Sequence, residues 1–164
     1  MERKRTVAVI GGGAAGMMAA SEAARAGAIV TLIEKNPQLG KKLATTGNAR
    51  CNYWFRAIGV EPRFRGSYVY PNSDQASAVV DALREELHRL SVKVHYNAEV
   101  KSVQRIDADA GYFMIQCTDA VVKADRVILA AGSKAAPKTG SNGDGYFIAR
   151  KLGHTIVPYV PALC

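Results

Sequence analysis

A chain of 164 residues, 48% hydrophobic and 22% charged, has the length and composition of one globular domain with a core of its own. Those proportions exclude a disordered or fibrous chain, and no apolar run approaches the roughly 18 residues of a membrane span. The net charge of +8 makes anionic ligands and nucleic acid both candidate partners.

Thr6–Ile10 is a short apolar run of the kind a buried parallel strand shows, and the glycines from Gly11 to Gly16 break it. Ala14–Arg25, rich in Ala and Met, reads as a helix stopped by Gly27. Ile29–Ile33 is a second apolar strand ending at Glu34, which completes a βαβ unit. A second helix is expected from about Asp74 to Leu90. Val79, Val80, Leu83, Leu87 and Leu90 share one of its faces, and Asn72 or Ser73 can cap it. Val92, Val94 and Tyr96 alternate as a third strand. Val100–Ile106, Tyr112–Cys117 and Ala120–Lys123, separated by turn residues, predict an antiparallel meander. Arg126–Ala131 returns to a buried parallel strand closed by Gly132, and Gly145–Leu152 reads as a last helix.

Between Lys35 and Arg65 the chain carries Lys35, Lys41, Lys42, Arg50, Arg56, Arg63 and Arg65 against one acid, Glu61. Such a run is either a solvated basic face or a set of phosphate partners. No nucleic-acid-binding motif accompanies it, which favours the second. Arg3-Lys4-Arg5 before an apolar stretch mimics a secretion signal, but three consecutive glycines interrupt it. Cys51, Cys117 and Cys164 lie far apart, so neither a zinc site nor a redox disulfide is expected, and the compartment reads as the cytoplasm. His88, His95 and His154 have no partner that argues for catalysis. Trp54 and Phe55 read as core packing rather than a ring-stacking platform.

Gly11-Gly12-Gly13-Ala14-Ala15-Gly16 satisfies G-x-G-x-x-G. Gly11 permits the tight turn, Gly13 lets backbone approach a pyrophosphate, and Gly16 lets the helix pack closely on the strand. The pyrophosphate then meets the helix N-terminus, whose free N–H groups and dipole favour negative charge. The context that confirms the motif is present: a strand before, a helix after, and Glu34 at the end of the next strand, placed to accept from ribose hydroxyls. The opening βαβ unit, the meander crossover and the small residues Ala130-Ala131-Gly132 at a strand end favour FAD. An NAD domain would repeat βαβ through helical crossovers.

Gly40-Lys41-Lys42-Leu43 and Thr46-Gly47-Asn48-Ala49-Arg50-Cys51-Asn52 resemble the signature of the BaiN/YhiN-like (aminoacetone-oxidase-like) FAD-binding oxidoreductases. So do the residues from Pro137 to Tyr146, Gly153-His154 and Pro161-Ala162-Leu163. The resemblance covers nearly the whole chain. It implies an α/β fold like that of glutathione reductase, with a parallel sheet, helices and a β-meander crossover. It also implies a flavoprotein oxidoreductase moving a hydride between FAD and NAD(P)H or a small organic substrate. By resemblance, Gly11, Gly13, Ala14, Ala15 and Gly16 cradle the pyrophosphate, while Glu34 and Lys35 hold the adenosine ribose. Lys41, Lys42, Thr46, Gly47 and Asn48 line the path to the ribityl chain, and the Val100 backbone meets the adenine. Ala131 and Gly132 flank the cofactor, and Arg50, Cys51 and Asn52 stand at the flavin edge. Lys42 or Arg50 is the candidate positive charge for the reduced flavin. Asp144 either reaches ribityl or pyrophosphate oxygens or caps the last helix. Ala49 replaces the family's second glycine, and the stretch from Asn52 to Tyr70 is shorter than in relatives. The 164 residues read as a single FAD-binding domain, with the substrate domain expected in a C-terminal half beyond Cys164. Weak FAD binding and negligible turnover are expected of the isolated chain.

Overall fold

The computed structural model describes residues 3–45, 53–107, 111–134 and 137–158. Its centre is a four-stranded parallel sheet in the order β5-β2-β1-β9. The strands are β1 (Thr6–Ile10), β2 (Ile29–Ile33), β5 (Lys93–His95) and β9 (Arg126–Leu129). β1 pairs with β2 from Thr6↔Ile29 to Ile10↔Ile33 and with β9 from Val7↔Arg126 to Ile10↔Leu129. α1 (Ala14–Arg25) crosses from β1 to β2, and α3 (Ala76–Arg89) precedes β5.

The central strands β1 and β2 are mostly apolar because both faces of this sheet are covered. Successive side chains of a strand point to opposite faces, and β1 divides its residues accordingly. Val7 and Val9 join Met17, Val30, Leu32, Leu83 and Leu87 in the core beneath the helices. Ala8 and Ile10 join Ile33, Val103, Ile115 and Cys117 on the other face. That second face is roofed by an antiparallel sheet of β6 (Val100–Ile106), β7 (Tyr112–Cys117) and β8 (Val121–Ala124), in that order. The result is a helix layer, a parallel sheet and a meander layer, as the sequence predicts.

Two buried carboxylates fasten neighbouring elements within the layers. Glu86, on the core face of α3, accepts from Arg25 Nη2 of α1 at 2.6 Å and from Arg89 Nε at 2.7 Å. Hydrogen bonds from Arg89 and then Arg25 outweigh the desolvation that opposes them and hold its pKa down at about 2. Asp125 accepts from the Thr6 N–H at 2.7 Å, the Thr6 hydroxyl and Arg3, and is likewise held at about 2. It ties the start of β1 to the start of β9.

Several boundaries differ from expectation. The second helix starts at Ala76, not Asp74, because Asp74 takes a left-handed φ of 55°. Its N-cap is Gln75, and neither Asn72 nor Ser73 caps it by a side-chain bond. The last helix, α4, runs Asp144–Lys151. Elements absent from the sequence reading are α2 (Lys41–Ala44), 3-10 turns at Tyr53–Ile58 and Pro137–Thr139, and a hairpin of β3 (Pro62–Arg65) and β4 (Tyr68–Pro71). Trp54 packs against the helix-side core, as expected. Its Nε1 donates to Glu22 Oε1 at 3.2 Å and its ring lies 5.2 Å from the Arg25 guanidinium. Among the described residues no helix is long and apolar enough to cross a membrane, and no cluster of His, Cys, Asp or Glu could hold a metal ion.

Candidate functional site

The C-terminal ends of β1, β2 and β9 open into a cleft. Ends of parallel strands where helices begin are the usual place for a ligand in such sheets.

The glycine turn is fixed by its surroundings. The Gly11 N–H donates to Ile33 O at 2.8 Å, and the Gly40 N–H donates to Gly12 O at 2.8 Å. Gly11 has φ +106°, and a methyl group built there would stand 2.5 Å from Ala130 O. A methyl group on Gly16 would stand 1.7 Å from Gly11 O. Neither position admits a side chain. Gly13 is the contrast: a methyl group there would meet nothing within 4 Å. Gly13 is also the N-cap of α1, with its carbonyl accepting from the Met17 N–H at 2.9 Å. The first-turn N–H groups of a helix have no partner within it. Here they adjoin open space above the one glycine of this turn that leaves room for a ligand.

Glu34 lies at the cleft wall, 7% exposed. Its Oε2 accepts from the Gly12 N–H at 2.6 Å, and its Oε1 accepts from the Asn36 N–H at 2.8 Å and from Asn36 Nδ2. Lys35 turns across the cleft, where its Nζ donates to Asn142 Oδ1 at 3.1 Å and pairs with Asp144 Oδ2 at 3.2 Å. Asp144 therefore does not cap α4. The N-cap is Gly143, and the Asp144 carboxylate belongs to the cleft. Ser141 donates to Ala131 O at 3.1 Å and to Ser133 O at 2.6 Å, holding the β9 end against the turn before α4.

Of the expected site residues, Gly11, Gly13, Glu34, Lys35, Lys41, Lys42, Val100, Ala131, Gly132 and Asp144 line this cleft together. Ala14 and Ala15 form the exposed first turn of α1, and Gly16 faces inward beneath it. Thr46, Gly47, Asn48, Arg50, Cys51 and Asn52 lie outside the described residues. The basic run divides. Lys35, Lys41 and Lys42 line the cleft, whereas Arg63 and Arg65 sit on the β3–β4 hairpin and pair with Asp74. His95 Nε2 lies 3.0 Å from Asp119 Oδ2, in an exposed contact away from the residues lining the cleft. Sequence reasoning missed Gly12, Asn36 and Ser141. Ser141 stands inside the Pro137–Tyr146 motif, and Asn36 lies two residues beyond the ribose-side acid, so proximity to known motifs was the available signal.

The model of the HI0933-like protein Rossmann domain matches residues 5–61 and 53–160. The 3-dehydro-bile acid delta(4,6)-reductase of Clostridium scindens is 37% identical over 191 positions, covering 96% of this chain and 46% of that protein. The ribosomal RNA dihydrouridine synthase of Escherichia coli is 27% identical over 195 positions, with the same two coverages. The chain thus spans about half the length of these curated relatives. Both alignments are longer than the 164 residues of the chain, so each relative carries residues with no counterpart here. The two family matches meet at 53–61, inside the stretch expected to be short. The crystal structure of CtdE in complex with FAD superposes with a TM-score of 0.56 at 22% identity, covering 81% of this chain and 40% of CtdE. The fold is thus one shared with FAD-binding proteins, and the residues 5–160 that form it place the chain in the HI0933-like Rossmann-domain family.

Proposed function

We propose that the cleft binds FAD and that the protein is a flavoprotein oxidoreductase. The observation that carries this reading is the open space over Gly13 at the start of α1, walled by Glu34 on one side and by Lys41 and Lys42 on another. The residues fit the group. The α1 N-terminus and the lysines suit a pyrophosphate, the Glu34 carboxylate suits ribose hydroxyls, and Val100 suits an adenine edge. Lys35, held by Asp144 and Asn142, contributes a wall rather than a free cation. Bound FAD supplies hydride chemistry that no side chain of this cleft offers. The chain's own part is to bind, orient and shield it, with Lys42 and Arg50 as the candidate charges beside the reduced ring and NAD(P)H as candidate reductant. Of the basic run, the cleft lysines Lys41 and Lys42 serve phosphates, and the run does not form a nucleic-acid surface. A cytoplasmic setting accords with three dispersed cysteines.

The names of the two relatives share a chemical element. A Δ4,6 bond system next to a 3-oxo group and the C5=C6 bond of uracil are both carbon–carbon double bonds conjugated to a carbonyl. The proposed substrate class is therefore a conjugated enone, reduced at its double bond. The test is to titrate purified protein with FAD and with NAD(H) by calorimetry and visible absorption. Any flavin complex is then reduced anaerobically and mixed with a 3-oxo-4,6-diene steroid. FAD binding without NAD(H) binding is expected; NAD(H) binding without FAD overturns the cofactor. A second reading, nucleotide binding without turnover by these residues alone, is favoured by the 46% coverage of the relatives. It predicts flavin binding with no reoxidation by the steroid.

A further inference from the structure

Asn36 has no role in the reading above, yet three segments meet at it. Its N–H and Nδ2 both donate to Glu34 Oε1, and its carbonyl accepts from the Asn97 N–H at 3.2 Å. Its carboxamide also lies against Gly140, where a methyl group would stand 2.8 Å from Nδ2. The end of β2, the turn after β5 and the turn before α4 thereby meet at one residue, the second through its backbone carbonyl and the third against its carboxamide.

A carboxylate offers about four acceptor positions. Three of those on Glu34 are filled, by Gly12 and twice by Asn36. The terminal torsion of a glutamate is intrinsically broad, so the side chain does not choose which oxygen faces the cleft. Gly12 and Asn36 grip opposite oxygens and remove that freedom. Both Glu34 and Asn36 line the cleft.

We propose that Asn36 is a positioning residue for nucleotide binding. Its carboxamide fixes the Glu34 carboxylate so that the remaining acceptor position meets an adenosine ribose hydroxyl. This rests on the reading of the cleft as a nucleotide site.

The test uses ADP and 2′,3′-dideoxy-ADP, which differ only in the ribose hydroxyls, with calorimetry on the whole chain. The unaltered protein is expected to prefer ADP by about tenfold, the worth of one hydrogen bond to a charged group. Asn36→Ala should bind both ligands alike, at the level the unaltered protein shows for the dideoxy compound. Asn36→Asp keeps the shape but sets a second carboxylate against Glu34, and should lose the preference too; it decides the matter if the alanine variant does not fold. Equal weakening toward both ligands would mean a purely structural role and overturn the proposal, as would an unchanged preference. Failure of the unaltered protein to bind ADP would also overturn it. Failure to bind FAD, with Asn36-dependent ADP binding intact, would sink the flavin reading and leave this one standing.

Discussion

Glu34 and Glu86 are both buried carboxylates, 7% and 5% exposed, and their surroundings differ in kind. Glu86 sits between α1 and α3 with a guanidinium on each side. Its charge is neutralised within the protein, and that interface has no use for a ligand. Glu34 sits at the cleft with two backbone N–H groups and one amide, and among the described residues no cation bonds to it. Its charge is solvated by dipoles, and acceptor capacity is left over. A buried acid with cationic partners holds helices together; a buried acid held by amides stays available to a hydroxyl. On the proposed reading of the cleft, holding the fold and meeting a ligand fall to separate carboxylates.

That separation can be broken most strongly at Gly13. Gly13→Val should weaken FAD binding at least hundredfold, since the side chain enters the open space, while stability changes by less than about 0.5 kcal/mol. Calorimetry with FAD and a thermal melt check both halves; retention of FAD would misplace the pyrophosphate. Next comes Glu86→Gln, which removes the carboxylate that Arg25 and Arg89 share and leaves Arg25 with only Glu22, 3.4 Å from its Nη1. Both arginines reach solvent, so the expected loss is only about 1–2 kcal/mol of unfolding stability. Nucleotide affinity should not move.

Acid should act on the same side of the division. Glu86 and Asp125 are held at about 2 in the folded chain, below the roughly 4 of unfolded carboxylates. Folding therefore favours their charged forms, and their contribution is complete above about pH 5. It is lost as pH falls from there toward 2. Melts across that range should show a falling midpoint, with a shallower fall for Glu86→Gln. The smallest effect belongs to Lys35→Met. Its partner Asp144 is 44% exposed, and such pairs are worth under about 1 kcal/mol. FAD affinity should change less than about threefold, and a larger change would give Lys35 a direct hold on the cofactor.

The sequence made the opening unit legible because its constraints are local and strong. β1, α1 and β2 fall where the apolar runs and Ala-rich stretch put them, since glycines bound each one. The meander strands were equally plain, within a residue or so. The β3–β4 hairpin was not, although Gly66-Ser67 between two short runs is a hairpin signal. Pro62 and Pro71 at its ends argue against strands, and its strands pair only with each other. Glu86 was illegible for another reason. The apolar pattern of α3 places it on the core face, but the partner that makes it tolerable there, Arg25, is 61 residues away. In the cleft, Gly13 and Glu34 were readable from motif spacing. Asn36 and Ser141 stand beside those motifs, but the bonds they make, to the Glu34 carboxylate and to the Ala131 and Ser133 carbonyls, depend on the folded turns and not on a motif position.

The clasp between Lys35 and α4 bears on how the protein is made. Its two contacts join residues 107 and 109 positions apart, and β1 cannot meet β9 until Arg126 has been synthesised. Contacts so distant in sequence require loop closure before they return any stabilisation, and they slow folding accordingly. On the ribosome, a chain paused before residue 126 holds β1, α1 and β2 with one edge of β1 unpaired and the far wall of the cleft missing. A ligand that needs both walls of the cleft can therefore assist only the final stage of folding, after α4 has emerged. Shortage of the ligand during rapid synthesis should then show itself as aggregation of nearly complete chains rather than of early ones.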